Sequence, residues 1–392
     1  GVLYSNESII CDDTAMNGLY EAYQAAVYNG QDVRFVLNQQ LEKINDYKLV
    51  IIPNVKYVQE KTLYAIKDYI DNGGNVLIMG EDTLGKNEKN LDNNKELVNY
   101  IYAHSTVTPF ESNTVKIMKP TAEELLNIVG DLCNKIGIQY VTVKDAKTGE
   151  RVNHVAYTKT IYNGKMLINL INYSDTKDVQ IFVNGKMMDS AVELRSGDNV
   201  GSTVTLEKFK PIILETNVEN PFFDTYGSWA EGDIVKLSGK GIAKGESESR
   251  FNPNGTMTRA EFLAFLMRGI NADTSAAYQN GISDVASDKW YAKTVQSAVA
   301  MGIINTNTAF RPDVPITREE MCDMLVKCYE AQNGTVNYTQ ATFDDISGSS
   351  YADSISKAVA LNLMVGRENN KFVPLGNATR AEGAAVISRY LK

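Results

Sequence analysis

Histidine and cysteine are scarce in this chain, which has two histidines and four cysteines among 392 residues. The cysteines form no CxxC pair, and they stand at Cys11, Cys133, Cys322 and Cys328. A structural zinc site needs four closely spaced Cys or His ligands. The sequence therefore predicts free buried thiols, no metal site and no cofactor.

Long apolar runs and excess positive charge are also missing. No segment approaches the roughly 18–20 apolar residues that span a bilayer, so we expect no membrane insertion. The net charge is −9, with 22 basic and 29 acidic residues up to residue 220, and 17 and 19 from residue 221 onward. The basic field that nucleic acid requires is absent, so an anionic ligand would have to be held by local groups. The chain opens on GVLYSNESII without Met or a leader, which predicts a processed or trimmed product.

Residues with catalytic chemistry follow no recognisable pattern in the first part of the chain. A nucleophile elbow needs a Cys or Ser flanked by small residues, with a His downstream. Cys11 lacks flanking glycines, and His104 and His154 stand in no matching context. Glycoside hydrolysis needs two carboxyl groups facing each other across a sugar, whereas the adjacent Glu81 and Asp82 diverge on a predicted solvated turn. We therefore predict no intrinsic catalysis.

Residues 1–138 alternate short apolar runs with helical patterns. Strands are predicted at GVLYS, DVRFVL (32–37), YKLVIIP (47–53) and NVLIMG (75–80), and helices at 15–29, 58–72, 95–103 and 121–136. The continuous apolar run YKLVIIP is typical of a strand covered on both faces. The first helix is predicted to share one apolar face among Leu19, Tyr23, Ala26 and Val27. This order favours an α/β domain with a parallel sheet between helices.

Residues 139–216 change to the period of two that β-strands show. Short apolar strands are separated by turn signals such as Asn163-Gly164 and Asn184-Gly185. We predict an antiparallel β-sandwich of roughly six or seven strands.

From residue 221 one pattern occurs three times, in predicted helical repeats at 221–271, 280–332 and 341–392. Each repeat opens with a hydrophobic-x-Asp, which gives the equivalent residues Asp224, Asp284 and Asp345. A tryptophan follows in the first two repeats, Trp229 and Trp290, and Ser350 in the third. After one helix and a Phe-x-Pro loop, a second helix begins with TRAE, TREE and TRAE, respectively.

The TRAE-like box predicts the start of a helix. Thr-x-x-Glu is a capping box, in which threonine accepts from the N3 amide and glutamate accepts from the N-cap amide. The three boxes are Thr258/Glu261, Thr317/Glu320 and Thr379/Glu382. Capping alone accounts for these threonines and glutamates.

Capping does not explain the arginine at the first helical position of each box. The helix dipole disfavours a positive charge there by roughly a few tenths of a kcal/mol, and yet the sequence has Arg259, Arg318 and Arg380. One interpretation is a receptor for a carboxylate or phosphate, made of the guanidinium and the free amides of the helix N-terminus. A nearby Trp would add a face on which a sugar ring stacks. The alternative is a salt bridge to an aspartate of a neighbouring repeat.

The combination FFD, W, GIAKG and FNPNGTMTRAEF, with its two relatives, resembles the S-layer homology (SLH) module over residues 221–392. The resemblance implies three helical repeats around a pseudo-threefold axis. It also implies grooves between repeats that bind pyruvylated secondary cell-wall polysaccharide on Gram-positive-type surfaces, with the TRAE-type arginine meeting the ketal carboxylate. The polysaccharide-binding residues implied by the resemblance are Arg259, Arg318, Arg380, Asp224, Asp284, Asp345, Trp229, Trp290, Gly245 and Gly366.

Two positions depart from the family pattern. The second repeat has GIINTN, which puts Thr306 where a glycine is expected, in a loop two residues shorter. The third repeat has Ser350 in place of Trp. We therefore expect the three grooves to be unequal.

The segment INDYKLVIIPNVKYVQEKTLYAIKDYIDNGGNVLI (44–78), preceded by AYQAAVYNGQDVRFVL, resembles the flavodoxin-like trimerisation domain of family 42 β-galactosidases. The β-rich stretch that ends KPIILE resembles the small C-terminal sandwich of the same enzymes. In that family the catalytic glutamates sit on an upstream (β/α)₈ barrel of about 250 residues, which we do not expect in this chain. The resemblance implies a homo-oligomer formed through the N-terminal domain.

Together these patterns predict a multidomain, non-catalytic, extracellular segment anchored to the cell wall. Its parts are a flavodoxin-like α/β domain, a β-sandwich and three SLH repeats, and its parent is predicted to be a secreted glycoside hydrolase acting on galactosides or related glycans. Several weak grooves would give durable attachment through avidity. One alternative is a glycosidase-like or amidotransferase-like hydrolase with an unrecognised site in residues 1–140. Another is a structural surface-layer protein that assembles through its N-terminal domain.

Overall fold

The computed structural model of this protein describes residues 1–106, 114–117, 119–275 and 281–392. Contacts divide the chain into a first unit, Gly1–Pro221, and a second unit, Phe222–Lys392. Residue 280, where the second repeat is predicted to begin, lies outside the described residues. Among the helices that the structure describes, none is long and apolar enough to cross a bilayer.

The first unit begins with an α/β region built on one parallel sheet. The strands that the described residues contribute are β1 (Val2–Tyr4), β2 (Phe35–Leu37), β3 (Leu49–Pro53), β4 (Asn75–Met79), β5 (Ser105–Thr106) and β6 (Thr114–Ile117). Their spatial order is β2-β1-β3-β4-β6-β5. The helices are α1 (Asn6–Cys11), α2 (Ala15–Val27), α3 (Glu60–Asp71), α4 (Lys95–Ala103) and α5 (Ala122–Lys135). Parallel pairing and alternating helices confirm the α/β order expected from the sequence.

Helices cover both faces of this sheet. Val50 and Ile52 of β3 belong to one core cluster with Leu63 of α3. Ile51, which points to the opposite face, belongs to a second cluster with Leu19 of α2. Every residue of β3 is buried, which confirms the prediction from the run YKLVIIP.

Three details of this region differ from the sequence prediction. The second strand begins only at Phe35. The prediction that Tyr23 is buried is wrong, because α2 contacts its neighbours through the small residues Ala22 and Ala25 and leaves Tyr23 exposed. Cys11 is also exposed, whereas the other three cysteines are buried and all four are free.

The remainder of the first unit is β-rich. Its strands are β7 (Val141–Asp145), β8 (Val155–Tyr162), β9 (Lys165–Asn172), β10 (Lys177–Val183), β11 (Lys186–Met187), β12 (Ala191–Glu193), β13 (Asn199–Val200), β14 (Thr203–Leu206) and β15 (Ile212–Asn217). They form two antiparallel sheets, one with the order β11-β10-β14 and β7 paired to β10, the other with the order β13-β12-β15-β9-β8.

Two Asn-Gly pairs make the hairpin turns that their sequence predicts. Asn163 and Gly164 join β8 to β9, and Asn184 and Gly185 join β10 to β11. All four residues have positive φ, between 48° and 75°. Positive φ at both central residues is the requirement of a two-residue type I′ turn.

The second unit is helical. Its helices are α6 (Glu231–Gly239), α7 (Arg259–Gly269), α8 (Ala292–Ala300), α9 (Arg318–Asn333), α10 (Ala352–Ala360) and α11 (Arg380–Tyr390). Each repeat contributes two of them. The second helix of each repeat packs on the first helix of the next, so that α7 contacts α8, α9 contacts α10 and α11 contacts α6. One core cluster therefore runs through all three repeats.

Three backbone hydrogen bonds close a cycle between the repeats. The amide of Met257 donates to the carbonyl of Ala378 (2.9 Å), Ala378 donates to Ile316 (2.9 Å), and Ile316 donates to Met257 (2.8 Å). Each residue directly precedes the threonine of a TRAE-like box, and all three are buried. The cycle places the three helix starts around a common centre, as a pseudo-threefold arrangement requires.

Candidate functional site

All three predicted capping boxes are present at the starts of α7, α9 and α11. Each threonine side chain accepts from the N3 amide, and one glutamate oxygen, Oε2, accepts from the threonine amide at 2.8–3.0 Å. Thr and Glu of the box therefore satisfy two amides of each helix start.

The other N-terminal amides are not free, and the prediction of free amides is wrong. The amides of Arg259, Arg318 and Arg380 donate to carbonyl groups of another repeat at 2.9–3.0 Å; the acceptors are Val314, Gly376 and Gly255. The next amide of each helix donates to a proline carbonyl, and these acceptors are Pro312, Pro374 and Pro253. The Phe-x-Pro loop of one repeat thus lies across the helix start of another. Those amides are unavailable to an anion.

Each N1 arginine reaches into the same foreign loop with its guanidinium. The Nε atoms of Arg259, Arg318 and Arg380 donate to a phenylalanine carbonyl at 2.6, 2.9 and 2.7 Å, on Phe310, Phe372 and Phe251. The guanidinium also lies over the ring of that phenylalanine, 5.3, 4.7 and 4.8 Å from its centroid. A cation–π contact of this kind contributes about 0.5–2 kcal/mol. The arginines therefore fasten the repeats together.

The arginines also pair with glutamates, and not with the aspartates that the alternative interpretation named. Nη1 lies 2.7 Å from Oε1 in Arg259–Glu320, 3.5 Å in Arg318–Glu382 and 2.7 Å in Arg380–Glu261. Each glutamate is the capping residue of the box in another repeat. The arginine side chains are only 11, 7 and 3% exposed. Burial lowers the pKa of Arg318, and the nearby Glu382 carboxylate opposes this effect.

The three predicted aspartates hold the Phe-x-Pro loops. Each accepts two successive backbone amides at 2.6–2.8 Å; the pairs are Phe251 and Asn252 on Asp224, Phe310 and Arg311 on Asp284, and Phe372 and Val373 on Asp345. Burial alone would raise the pKa of Asp345, but the two amides outweigh it and the pKa is lowered. The aspartates therefore shape the loop on which the arginines rest.

The two predicted glycines are required by close packing. A Cβ on Gly366 would lie 2.4 Å from a ring carbon of Phe343, and a Cβ on Gly245 would lie 2.5 Å from a ring carbon of Phe222. Backbone carbonyls crowd Gly245 equally, with Arg250 O at 2.5 Å and Ser247 O at 2.6 Å from that Cβ. The second repeat has Ile282 at the position of these phenylalanines and a loop two residues shorter, so both the ring and the loop that crowd the glycine differ there.

Residues of all three repeats meet in one cleft, which we call the Trp229 cleft. Trp229 of the first repeat, Arg318 of the second and Gly366 of the third line a cavity of about 220 Å³, together with Arg367 and Glu382. The Trp229 side chain is 66% exposed. An exposed indole beside cationic groups can hold a sugar ring and an attached anion.

A second cavity, of about 210 Å³, lies beside Arg259, and we call it the Arg259 cleft. Its aromatic residues are Phe310, over whose ring Arg259 lies, and Tyr351, which directly follows the Ser350 that replaces Trp in the third repeat. The short GIINTN loop contributes Ile303, Ile304 and Asn305 to its wall. Sequence comparison between the repeats could have found Tyr351, because it stands at the N-cap of the next helix, as Ala230 and Tyr291 do in the first two repeats.

Trp290 is exposed, at 59%, and makes an edge contact with Tyr291 at 5.3 Å. Trp290 is equivalent to Trp229, so the symmetry of the repeats places it in the cleft that contains Arg380 and Gly245. In that cleft every nitrogen of the Arg380 guanidinium has a hydrogen-bond acceptor, because Nη2 also donates to the carbonyl of Lys244 at 2.7 Å.

A separate cavity of about 390 Å³ lies in the first unit at the carboxyl ends of β3 and β4. Glu81 and Asp82, predicted on a solvated turn, line it with Asn54 and Lys56, and Lys56 lies 3.6 Å from Asp82. Ligands of parallel sheets usually bind at this edge. In the part of the chain that the structure describes, no group of three His, Cys, Asp or Glu side chains is placed to hold a metal ion.

The second unit matches the S-layer homology domain in three segments, residues 221–263, 281–322 and 342–384. This chain therefore carries three SLH repeats, as the sequence indicated. Each matched segment includes one TRAE-like box, so the clefts described above lie between SLH repeats.

Curated relatives are enzymes and surface-layer proteins of which this chain spans a fifth or less. An amylopullulanase of Thermoanaerobacterium thermosulfurigenes is 28% identical over 87% of this chain and 18% of its own length. Exoglucanase XynX of Acetivibrio thermocellus is 36% identical over 42% of this chain and 16% of its own length. An S-layer protein of Bacillus thuringiensis subsp. finitimus is 27% identical over 41% of this chain and 20% of its own length.

Solved structures with some likeness include enzymes of family GH42. The exo-carrageenase GH42 of Bacteroides ovatus aligns with 55% of this chain and 28% of its own, at 14% identity and a TM-score of 0.44. A β-galactosidase from Bacillus circulans sp. alkalophilus aligns with 55% of this chain and 40% of its own, at 13% identity and a TM-score of 0.39.

Proposed function

We propose that this chain is an extracellular anchoring segment that attaches a larger protein to pyruvylated secondary cell-wall polysaccharide. The observation that supports it most directly is the Trp229 cleft, in which an exposed indole, Arg318 and Gly366 come together from three repeats. The indole offers a face for a sugar ring, and the guanidinium groups offer donors to a carboxylate. Attachment through more than one cleft gives avidity.

The SLH repeats are a non-catalytic anchor that belongs at the cell surface. The parent protein is a secreted glycoside hydrolase in this proposal, because relatives that share the repeats bear names such as amylopullulanase, exoglucanase and endoglucanase. The likeness to the amylopullulanase extends over 87% of this chain and so beyond the repeats. The names cover several polysaccharides, and in this proposal the parent acts on galactosides or related glycans.

In this proposal the first unit mediates self-association and carries no catalytic site. It consists of a flavodoxin-like domain followed by a β-sandwich. The strand order β2-β1-β3-β4 supports the flavodoxin-like assignment, because that fold has the order 2-1-3-4-5. Self-association of this unit into a homo-oligomer would present several SLH units to the wall at once.

The test is a pull-down of the full chain with purified cell walls, before and after chemical removal of the pyruvylated polymer. The variant Trp229→Ala/Trp290→Ala removes two exposed indoles and should weaken binding by roughly tenfold or more. Tyr162→Ala is the matched control, because Tyr162 is exposed on β8 of the first unit, outside the clefts. These substitutions leave the buried arginines in place.

Equal binding to intact and stripped walls would contradict the proposed ligand. Retained binding in the double tryptophan variant would show that the clefts do not bind the polysaccharide. Robust turnover of nitrophenyl glycosides by this chain would contradict the non-catalytic assignment and favour the hydrolase alternative.

A further inference from the structure

The two clefts with a described cavity differ in charge. The Trp229 cleft is lined by Arg318, Arg367 and Arg389 against one carboxylate, Glu382. The Arg259 cleft is lined by two cations and two carboxylates, in the pairs Arg259–Glu320 and Lys327–Asp323, each at 2.7 Å. An excess of positive charge inside a partly enclosed cleft raises the local concentration of anions.

Glu382 in the Trp229 cleft is shared between two guanidinium groups. Its Oε1 accepts from Arg367 Nη2 at 2.6 Å, and Arg318 Nη1 lies 3.5 Å away. In the other two repeats the equivalent distance from the N1 arginine to its glutamate is 2.7 Å. Arg318 is therefore the N1 arginine that is most loosely paired with its carboxylate.

Arg318 is buried and held by backbone carbonyls, whereas the Arg367 side chain is about half exposed. Arg318 donates to the carbonyls of Phe372 and Val365 at 2.9 and 2.7 Å and is buried. The Arg367 side chain is 45% exposed. Its backbone is held at the base of a tight turn by a bridge to Lys371. An exposed ion pair is worth only about 0–1 kcal/mol, so Arg367 can exchange Glu382 for another carboxylate at little cost.

We propose that the Trp229 cleft is the principal site for the anionic sugar and that Arg367 selects it by binding its carboxylate. The carboxylate takes Arg367 from Glu382 and also approaches Arg318 Nη1, while the sugar ring lies on Trp229. The Arg259 cleft is the weakest of the three, because it lacks a tryptophan and its N1 arginine is held close to Glu320, at 2.7 Å. This inference rests on the proposed function and names the residue that gives it specificity.

The two tryptophans allow each site to be observed separately. The chain has two tryptophans in all, so ¹⁵N-indole labelling of the full chain gives two resonances, and Trp229→Phe assigns them. The probe is a methyl hexopyranoside carrying a pyruvate ketal, and the reference is the same glycoside without the ketal. We expect the ketal probe to shift the Trp229 resonance more than that of Trp290.

Arg367→Ala should weaken probe binding by about tenfold or more, because a hydrogen bond between charged groups is lost. The matched control is Arg311→Ala, since Arg311 is 51% exposed and pairs with the capping Glu320 of the Arg259 cleft. It should change affinity by less than about twofold, because that cleft contributes little binding. Arg367→Lys should retain part of the affinity, since it keeps the charge without the planar fork.

The outcomes separate this inference from the function on which it rests. A wild-type chain that binds neither the probe nor intact walls would refute the proposed function. Wild-type wall binding with an unchanged affinity in Arg367→Ala would refute the inference alone. Equal losses in Arg367→Ala and Arg311→Ala, a dominant shift of Trp290, or equal binding of the ketal-free glycoside would also refute it.

Discussion

Arg380 and Glu261 lie 119 residues apart in sequence and are joined by a hydrogen bond of 2.7 Å between Nη1 and Oε1. The other oxygen of Glu261, Oε2, accepts from the amide of Thr258 at 2.8 Å. One carboxylate therefore caps its own helix and holds the arginine of another repeat. Glu320 and Glu382 make the same two kinds of contact. The ion pairs between capping glutamates and N1 arginines therefore link the three repeats of the second unit in a closed ring.

Arg380→Ala should destabilise the second unit by about 3–5 kcal/mol, the usual result of breaking a buried ion pair. Its side chain is 3% exposed, and the substitution leaves Glu261 and two backbone carbonyls without their donor. Urea unfolding followed by tryptophan fluorescence reports on this unit, because both tryptophans lie in it.

Arg250→Ala is the control for this measurement, because its pair with Glu246 is exposed and longer, at 3.4 Å. It should change the free energy of unfolding by less than about 0.5 kcal/mol. Equal effects of the two substitutions would contradict a structural role for the N1 arginine. A loss of wall binding on replacing all three arginines would accordingly report on folding as well as on recognition.

The sequence predicts the local chemistry of the TRAE box but not its long-range contacts. Thr258 and Glu261 cap α7 because Thr-x-x-Glu has a fixed local geometry. Nothing local indicates that Arg259 would meet Glu320 or that its amide would donate to Val314, because these contacts arise from the arrangement of the repeats. The expectation of free amides failed for this reason.

The same limit applies elsewhere in the chain. The run YKLVIIP and the Asn-Gly turns are local signals, and the strands and hairpins that they predict are present. The burial of Tyr23 was wrongly predicted because helical periodicity alone does not indicate that α2 packs through the small residues Ala22 and Ala25. Arg367 was missed because its partner Glu382 had already been explained by capping.

Gly366→Ala should destabilise the second unit by about 1–3 kcal/mol through overpacking. The added Cβ would lie 2.4 Å from the Phe343 ring, which itself packs against Phe372 at 5.6 Å. Phe343→Ile should restore part of the loss in the double variant, since the second repeat already combines Ile282 with a non-glycine loop. Urea unfolding midpoints of the two single variants and the double variant test this.

Gly348→Ala is the matched control, because a Cβ there would meet no atom within 4 Å. It should be close to neutral. Additive effects of Gly366→Ala and Phe343→Ile would show that the two residues do not interact, and would contradict the packing account of the glycine.

The outer face of α2 is the expected interface of a homo-oligomer. Met16, Tyr20 and Tyr23 are exposed along it, and Tyr23 stacks on Phe35 of the edge strand β2 at 6.2 Å. Exposed apolar side chains beside an unpaired strand edge are typical of association surfaces. Light scattering of the full chain should give the mass of an oligomer, and Tyr20→Glu/Tyr23→Glu should lower the mass towards a monomer.

Tyr64→Glu is the control for this experiment, because Tyr64 is similarly exposed but lies on α3, which packs on the opposite face of the sheet. It should leave the mass unchanged. A wild-type chain that is strictly monomeric at micromolar concentration would contradict the proposal that the chain forms a homo-oligomer.

Glu320→Gln should reduce the loss of stability of the second unit in acid. Burial would raise the pKa of Glu320, but the amide of Thr317 and the charges of Arg259 and Arg311 outweigh it and hold the pKa below its ordinary value of 4.5. A carboxyl group with a lowered folded-state pKa contributes stability above the ordinary pKa, and this contribution is lost as the pH falls through the folded value. The wild-type chain should therefore lose stability as the pH drops below about 4.5, and the variant should lose less.

The comparison needs urea unfolding of both proteins at several pH values between about 3 and 7. Gln can still accept from the Thr317 amide, so the substitution removes the charge and keeps the cap. The variant should be less stable than the wild type near neutral pH, because Arg259 and Arg311 lose their shared partner, and the two curves should converge in acid. Parallel curves would show that Glu320 does not ionise differently in the folded state. Glu368→Gln, at an exposed position, controls for the loss of one negative charge, and it should leave the shape of the curve unchanged.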